Sequence, residues 1–388
     1  MRPSDNDIIQ IAGAGPAGLA AAISLARCGR RVVVDEAQPE VGHRFIRDLQ
    51  GLENWSTRTD VLDELRGAGI ISDFPRVPYR GATVFDAWGR AYEFHSETPL
   101  FYLVERGPGP DSLDAALLAQ ALELGVEVRF NSRVEHLEGP GILAIGPRAG
   151  DAIAVGYLFE TAMADGVWVI CDDTLAPQGY AYLIVKAGWG TVKSAMFSNF
   201  KQERIYVERT VAAFRRLVGL DMTDARAHGG AGNFRIPRSA RSGTHPVVGE
   251  QAGFQDTLWG FGIRLAITSG VLAARSLVEG SDYDAAWRRA FAPQLRVSVV
   301  NRALYGRLGN PGYRLFLRHA ARQRDVRSFL RRHYQPSLAK TLMLPWARAQ
   351  WHSRRRDEAC NHVACECVWC RHGQAAHADL SCATPGQV

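Results

Sequence analysis

The chain opens with apolar and polar blocks that predict a β-α-β unit. Residues 8–12 (IIQIA) form a short apolar run typical of a buried strand. Residues 17–28 have apolar helical character, and Gly29 is placed to end the helix. A second apolar run, 32–34, leads to Glu36. Strand, helix and strand within about 30 residues predict two parallel strands joined by a crossover helix.

The middle of the chain predicts one more helix and strand, then a different kind of sheet. Residues 111–125 have a helical pattern that Asp111 or Ser112 can cap, and the strand-like run 126–130 follows. Residues 151–200 contain strand-like runs separated by Asp, Pro and Gly with no helical segment between them, which predicts an antiparallel sheet. Further elements are predicted as helices at 202–218 and 263–279 and as a strand and turn at 245–253.

The C-terminal part is helical and basic. Residues 284–356 have a helical pattern broken by prolines, and 281–356 contain 17 Lys or Arg against 3 Asp or Glu. The positive net charge of +6 therefore comes from this C-terminal segment and not from the chain as a whole. Such a surface can meet an anionic membrane, an acidic protein or nucleic acid, or it can be a solvated helical face. We favour packing on the rest of the protein, keep peripheral membrane contact through 284–356 as the alternative, and expect no nucleic acid.

Composition indicates an ordinary globular protein. Apolar residues make up 46% and charged residues 22%, and no apolar run approaches the roughly 18 residues of a membrane span. The first ten residues, MRPSDNDIIQ, contain no apolar signal core. These features predict a cytoplasmic protein, with a membrane-peripheral location if the basic segment binds lipid. Two isolated cysteines, Cys28 and Cys171, are typical of core packing.

A glycine-rich loop separates the first predicted strand from the first helix. It reads Gly13-Ala-Gly15-Pro16-Ala17-Gly18. The first glycine allows a tight turn, the second admits a pyrophosphate, and the third lets helix and strand pack closely, while helix N–H groups hold the phosphates. Glu36 ends the second strand, where a carboxylate accepts hydrogen bonds from ribose hydroxyls. The loop and this carboxylate together predict a dinucleotide site.

A distant segment narrows the ligand to FAD. Residues 243–264 (GTHPVVGEQAGFQDTLWGFGIR) resemble the second FAD motif of glutathione-reductase-type flavoproteins, and more closely that of the geranylgeranyl reductase and p-hydroxybenzoate hydroxylase-like group. The resemblance implies that Glu250 bonds the ribityl chain and that Gly260 and Gly262 let the backbone pass under the flavin. The helix beginning at Ile263 would stabilise negative charge on the reduced ring.

Two arginines extend the resemblance, and one motif departs from it. Arg44 follows the second strand where the group places an arginine beside FAD, and Arg106 with Asp114 fits its Arg, Phe-Asp, helix pattern. A surface salt bridge is the alternative for each arginine. The Asp-Gly motif expected at 146–151 reads GPRAGD, which puts binding of NAD(P)H there in doubt.

The resemblance implies an α/β fold: a Rossmann-like FAD domain of glutathione-reductase type, an inserted antiparallel-sheet substrate domain and a C-terminal helical region. We expect the sheet to cover the flavin and to select the substrate. Tyr180 and Tyr182 should share one face by strand alternation, and aromatic lining favours an apolar or aromatic substrate. No residue stands out as catalytic.

The predicted boundaries are 1–75, 100–150 and 230–283 for the FAD domain, 76–99 and 151–229 for the substrate domain, 284–356 for the Arg-rich helices and 357–388 for a Cys/His-rich tail.

The tail is a candidate metal site. Cys360, Cys365, Cys367 and Cys370 lie within eleven residues, a density typical of metal ligands. Their spacing approaches that of plant-type iron–sulfur proteins without matching it. Zinc is the first expectation, an iron–sulfur cluster the second, and an unmetallated tail the alternative to both.

The leading functional hypothesis is an FAD-dependent reductase or dehydrogenase that exchanges hydride between flavin N5 and an apolar organic substrate. With one nucleotide fingerprint, electrons would come from transiently bound NAD(P)H or from a protein donor. The first alternative is a flavin monooxygenase acting on an aromatic or polyketide-like substrate. The second is a non-catalytic protein that carries FAD or metal.

Overall fold

In the computed structural model the described residues are 8–134, 136–147 and 150–350. The strands are, in chain order, β1 (Ile8–Ala12), β2 (Arg31–Asp35), β3 (Asp48–Glu53), β4 (Arg76–Tyr79), β5 (Gly81–Asp86), β6 (Ala91–His95), β7 (Phe101–Arg106), β8 (Glu127–Arg129), β9 (Gly141–Leu143), β10 (Ala152–Glu160), β11 (Gly166–Cys171), β12 (Tyr180–Lys186), β13 (Trp189–Met196), β14 (Thr223–Gly232), β15 (Arg241–Ser242) and β16 (His245–Pro246). The α-helices are α1 (Pro16–Arg27), α2 (Val61–Gly67), α3 (Leu113–Glu123), α4 (Glu203–Val218), α5 (Ile263–Glu279), α6 (Tyr283–Ala290), α7 (Ala292–Ala320), α8 (Val326–His333) and α9 (Leu338–Gln350).

The fold is mixed α/β, and the described residues form two compact units. The first unit comprises 8–77, 101–147 and 234–296, and the second comprises 78–100, 150–233 and 297–350. Both units are therefore discontinuous in sequence. The helices predicted at 284–356 are divided between them. The helix α7 begins in the first unit and is kinked in the second at Gly309, whose φ is +57°.

A parallel sheet lies at the centre of the first unit. Its strand order is β8-β2-β1-β9, and β1 pairs in parallel with both β2 and β9. This confirms the predicted β-α-β start. The connecting helix α1 buries Leu19, Ile23 and Leu25 completely, as the apolar pattern of that segment requires. The predicted helix α3 is also present, and the hydroxyl of Ser112 caps it by accepting a 3.0 Å hydrogen bond from the N–H of Ala115.

Two further features complete the first unit. The strands β3 and β7 form an antiparallel pair that the sequence analysis did not anticipate. Phe254 lies 5.0 Å from Trp287 and 4.9 Å from Phe291, between ring centroids, and this aromatic cluster packs α6 into the core. Cys28 is exposed at the C-terminal end of α1, so core packing was wrong for it; Cys171, on β11 of the second unit, is buried as expected.

The second unit is built on a seven-stranded sheet of order β14-β10-β13-β12-β11-β5-β6. The strands β10 to β13 pair antiparallel, which confirms the prediction for 151–200. The strand β5 instead joins β11 in parallel, and β14 pairs with β10; neither was predicted. The helix α4 packs on one face of the sheet, where Phe159, Leu183 and Val192 meet Val211 and Phe214.

Candidate functional site

The glycine loop joins β1 to α1 in the first unit. Gly13 has a φ of +105°, and a Cβ there would lie 2.3 Å from the carbonyl oxygen of Ala144. A Cβ on Gly18 would lie 1.9 Å from the carbonyl oxygen of Gly13. These two glycines are therefore required by backbone packing. Gly15 differs, because a Cβ there would meet no heavy atom of the described residues within 4 Å. The backbone at Gly15 borders open space, as a cradle for a phosphate group needs.

The N-termini of α1 and α5 differ from those of most other helices in the protein. Gly15 precedes α1, Gly262 precedes α5, and neither helix receives a side-chain cap from the described residues. The helix α4 also begins without one, but it continues a 3-10 turn. Uncapped N–H groups at a helix start are ready donors to an anionic ligand. By contrast, the helices α2, α3, α6 and α8 are capped by the side chains of Asp60, Ser112, Asp282 and Asp325.

Glu36 lies beside the glycine loop because β1 and β2 are parallel neighbours. Its Oε2 accepts a 2.7 Å hydrogen bond from the N–H of Ala14, and its Oε1 accepts a 3.0 Å hydrogen bond from the N–H of Gln38. Each carboxylate oxygen can accept a second hydrogen bond. The half-buried carboxylate is thus fixed in orientation and can still accept from hydroxyl groups.

The second sequence motif packs directly on the first. A Cβ on Gly249, whose φ is +60°, would lie 2.9 Å from the Cβ of Ala17, and a Cβ on Gly270 would lie 2.1 Å from the carbonyl oxygen of Ala17. The N–H of Gly249 donates a 2.9 Å hydrogen bond to the hydroxyl of Ser269. These contacts hold Glu250 near the start of α1, although more than 200 residues separate them in sequence.

Arg44 contacts Glu250 near the start of α1. Its guanidinium donates a 3.0 Å hydrogen bond to the carboxylate of Glu250, and both side chains are partly exposed. The guanidinium carbons of Arg44 and Arg106 lie 4.5 and 4.4 Å from the ring centroid of Phe45. The structure therefore brings together four of the segments that sequence singled out: the loop, Glu250, Arg44 and Arg106.

Arg106 is held in a buried ion pair. Its Nε and one terminal nitrogen donate to the two carboxylate oxygens of Asp114 at 2.7 and 2.9 Å, and its other terminal nitrogen donates to Gln50 at 3.1 Å. Burial alone would lower the pKa of Arg106, but the Asp114 carboxylate outweighs it and raises that pKa above its ordinary value. The guanidinium is thus permanently charged and fixed in direction.

The loop before α5 contains a residue that the sequence analysis missed. Gly260 has a φ of +79°, and a Cβ there would meet no described heavy atom within 4 Å. The side-chain nitrogen of Gln255 donates a 2.6 Å hydrogen bond to the carbonyl of Gly260, and its Cγ lies 3.1 Å from where a Cβ on Gly262 would be. The Oε1 of Gln255 is buried and accepts no hydrogen bond from the described residues. A donor on a bound ligand would satisfy it.

Arg264 is a second residue that sequence reasoning did not single out. It lies in the first turn of α5, where the positive end of the helix dipole disfavours a cation. Its side chain is also buried, so the charge needs partners within the protein. Its guanidinium pairs with Glu53 at 3.2 Å and Glu64 at 2.6 Å. Burial would lower the pKa of Arg264, but these two carboxylates raise it. Arg264 also donates to the hydroxyls of Ser56 and Thr57, which fixes that loop against α5.

In the second unit, the face of the seven-stranded sheet opposite α4 contains a polar row. Tyr182 pairs with Lys193 across β12 and β13, Lys193 pairs with Gly156 on β10, and Gly156 pairs with His228 on β14. Directly paired residues point to the same face, so Tyr182, Lys193 and His228 lie in line. Tyr180 shares this face, since its ring centroid is 5.9 Å from that of Tyr182. Lys193 is only 3% exposed.

The structure holds no cluster of three or more His, Cys, Asp or Glu arranged for a metal ion within the described residues. The four predicted ligands Cys360, Cys365, Cys367 and Cys370 lie outside them. Among the helices that the structure describes, none is long and apolar enough to cross a membrane.

Comparison with known proteins agrees with this geometry. The FAD binding domain family matches residues 7–46, which include the glycine loop and Glu36. In structure, a geranylgeranyl bacteriochlorophyll reductase-like protein from Thermoplasma acidophilum superposes with a TM-score of 0.66 over 89% of this chain and 96% of that one, at 18% identity. Residues 7–46 are thus similar to an FAD-binding domain, and the chain shares the fold of the geranylgeranyl bacteriochlorophyll reductase-like protein. Other structures with this fold include flavin-dependent halogenases and monooxygenases.

Two curated proteins that are similar to this chain have different names and activities. The FAD-dependent monooxygenase OpS4 of Beauveria bassiana is 33% identical over 171 residues, which cover 41% of this chain and 36% of that protein. The digeranylgeranylglycerophospholipid reductase of Haloferax volcanii is 22% identical over 368 residues, which cover 80% and 88%. The chain is thus similar both to a reductase and to a monooxygenase.

Proposed function

We propose that the protein is an FAD-dependent oxidoreductase that binds FAD in the first unit in the manner of glutathione-reductase-type flavoproteins. One observation carries the proposal: α1 and α5 each follow a glycine, neither receives a side-chain cap from the described residues, and the two helices pack closely where Gly270 meets Ala17. An extended dinucleotide with a central pyrophosphate and a redox-active ring fits two such helix starts. The open backbone at Gly15 and Gly260 and the buried Oε1 of Gln255 fit the same ligand.

The residues around the site have distinct proposed roles. The N–H groups from Gly15 to Gly18 bind the pyrophosphate, and Glu36 accepts from the adenosine ribose. Glu250 bonds the ribityl chain, while Arg44 holds that carboxylate in place. Arg106 supports this group through Phe45 and Asp114. The positive end of α5, from Gly262 and Ile263, favours negative charge on the flavin.

Bound FAD would supply hydride exchange at the flavin, and the chain itself must hold the substrate and move a proton. The sheet face opposite α4 offers aromatic surface from Tyr180 and Tyr182, which suits an apolar or aromatic substrate. Tyr182, Lys193 and His228 provide O–H and N–H groups on that face. We propose that this face of the second unit contacts the substrate.

Reduction or dehydrogenation is the leading activity. In sequence, the digeranylgeranylglycerophospholipid reductase matches 80% of this chain, whereas the match to the monooxygenase OpS4 covers 41% of it. In structure, halogenases match as much of the chain as the reductase-like protein does, and a monooxygenase matches 81% of it, so this support comes from sequence alone. Hydroxylation of an aromatic or polyketide-like substrate is the alternative. Electrons would come from NAD(P)H or from a protein donor.

A metal site in the tail stays a prediction, with zinc or an iron–sulfur cluster bound by Cys360, Cys365, Cys367 and Cys370. Elemental analysis of anaerobically purified protein tests it. The cytoplasmic location also stays a prediction.

The experiment separates these functions by product and by oxygen use. The purified protein is saturated with FAD, reduced with dithionite under argon and mixed with a digeranylgeranylglycerophospholipid or an aromatic substrate panel. A reductase adds two hydrogens for each double bond without oxygen. A monooxygenase yields no product under argon but adds one oxygen atom and consumes oxygen when air and NAD(P)H are present. A flavin that is never reduced under any donor contradicts both and supports the non-catalytic alternative.

A further inference from the structure

The helix α9 has a row of large apolar side chains on its exposed side. Leu338, Leu342 and Trp346 are 76%, 72% and 38% exposed. Their spacing of four residues places them on one side of the helix. Ala339 and Ala349 are also exposed and extend this side. We call these five residues the α9 stripe.

The other side of α9 is packed against the protein. Ala347 is completely buried, and Met343 and Leu344 are half-buried. The amine of Lys340 donates to the carbonyl of His333 at the end of α8, and burial lowers the pKa of Lys340. The helix is therefore anchored by one side, and the α9 stripe is its outward side. Exposed apolar stripes on anchored helices mark surfaces that bind another apolar phase.

The stretch of chain that contains the stripe is strongly positive. Residues 297–350 contain eleven Lys or Arg and one acid, Asp325. That acid is engaged locally, since it accepts from the hydroxyl of Ser96 and caps α8. The exposed cations in the same stretch are Arg307, Arg318, Arg322, Arg324, Arg332 and Arg348. A surface with both an apolar stripe and exposed arginines is complementary to a partner that has anionic groups next to an apolar layer.

We propose that α9 binds the surface of an anionic lipid bilayer, lying in the headgroup region with its stripe in the acyl boundary. Leu338, Leu342 and Trp346 enter the apolar layer, and Arg332 and Arg348 contact lipid phosphates. The composition of the described part of α9 fits an interfacial position, because large apolar side chains and a cation are both exposed along it. This surface shares no residue with the proposed FAD site and goes beyond the proposed oxidoreductase activity.

The test is co-sedimentation of the full-length, FAD-saturated protein with vesicles of phosphatidylcholine, with and without phosphatidylserine, at low and high salt. We expect binding to the vesicles that contain phosphatidylserine, and weaker binding at high salt because counter-ions screen the arginines. Leu342→Glu should reduce the fraction bound by about tenfold or more. The matched control is Ile205→Glu, which changes a 46% exposed apolar residue on α4 in the same unit and should bind as the unchanged protein does.

Three outcomes overturn the proposal. The first is no binding to vesicles that contain phosphatidylserine, and the second is equal binding by the Leu342→Glu and Ile205→Glu variants. The third is a dimer in light scattering that Leu342→Glu converts to a monomer without any lipid binding, which would assign the stripe to a second copy of this chain. Flavin absorbance and circular dichroism of each variant check that it is folded, and Leu338→Ser provides a milder change in the same stripe.

Discussion

The glycines of the loop at 13–18 have different physical roles. Gly13 and Gly18 are fixed by backbone packing, since a Cβ on either would lie within 2.3 Å of a carbonyl oxygen. Gly15 has open space where its side chain would be. A substitution at Gly15 therefore separates ligand binding from folding, whereas a substitution at the other two combines both effects.

Gly15→Ala should weaken FAD binding while leaving the apoprotein folded. We expect the dissociation constant for FAD to rise about tenfold or more, a change of at least about 1.4 kcal/mol, because the methyl group occupies the proposed phosphate position. The free energy of unfolding of the apoprotein should change by less than about 1 kcal/mol. Flavin fluorescence titration measures the first quantity and urea denaturation the second.

Gly139→Ala is the matched control, because a Cβ there also meets no described heavy atom within 4 Å and lies outside the loop. It should leave both quantities unchanged. Equal FAD affinity in the Gly15→Ala variant and the unchanged protein would contradict the assignment of the loop to FAD.

The ion pair of Arg106 and Asp114 predicts a large stability effect. Asp114→Asn leaves a guanidinium buried without its counter-charge, so the free energy of unfolding should fall by about 3–5 kcal/mol. Glu127→Gln breaks the exposed pair with Arg129 and should cost less than about 1 kcal/mol. Urea denaturation followed by circular dichroism compares the two. A loss below about 1 kcal/mol in Asp114→Asn would show that the buried pair contributes little.

Residues with a backbone role were easier to predict than residues with a pairing role. Gly13, Gly18 and Glu36 belong to one local strand–turn–helix unit, and their positions follow from its geometry. Arg264 and Lys193 were missed because their surroundings come from elsewhere in the chain: Arg264 meets carboxylates about 200 residues away, and Lys193 is buried by the sheet it lies in. A buried cation inside a helix start or strand has no sequence signature of its own.

At the scale of elements, the close crossing of α1 and α5 holds the two motifs together. It depends on Gly270, because a Cβ there would lie 2.1 Å from the carbonyl oxygen of Ala17. Gly270→Ala gains about 1 kcal/mol of helix propensity but forces the helices apart. We expect a net loss of about 1–2 kcal/mol in the free energy of unfolding, together with weaker FAD binding, measured by denaturation and by fluorescence titration.

Gly67→Ala tests whether this effect belongs to the crossing. Gly67 ends α2, and a Cβ there meets no described heavy atom within 4 Å. The variant should be as stable as the unchanged protein or more stable by up to about 1 kcal/mol, with unchanged FAD affinity. A stabilising Gly270→Ala would mean that the helices adjust without strain.

The elements were predicted best where apolar periodicity was strong. The helices α1, α4 and α5 and the strands β10 to β13 correspond to clear apolar patterns. The strand β14 (TDARAHGGAG) was missed because it has no alternating apolar residues; it forms because the edge of β10 supplies hydrogen-bond partners. The parallel pairing of β5 with β11 joins segments about 80 residues apart, and no local pattern specifies it.

At the scale of the whole molecule, FAD should act as a folding ligand of the first unit. All the residues proposed to bind it lie in that unit, so FAD at 100 times its dissociation constant should add about 2.7 kcal/mol to the stability of the unit. Calorimetry should show a concentration-dependent rise in Tm with FAD. FMN, which lacks the adenosine that Glu36 would bind, should raise Tm much less. Equal shifts with FAD and FMN would contradict the roles of Glu36 and the loop.

The sequence by itself determined the local chemistry of this protein. It determined the β-α-β unit, the glycine loop, the acid at Glu36 and an antiparallel sheet, because each depends on residues close together in the chain. Only the tertiary structure decided which distant groups meet. It paired Arg44 with Glu250, surrounded Arg264 with Glu53 and Glu64, placed Gln255 beside Gly262 at the start of α5 and left the α9 stripe exposed. The physical reason is that side-chain pairing and burial depend on long-range packing, which one-dimensional patterns do not contain.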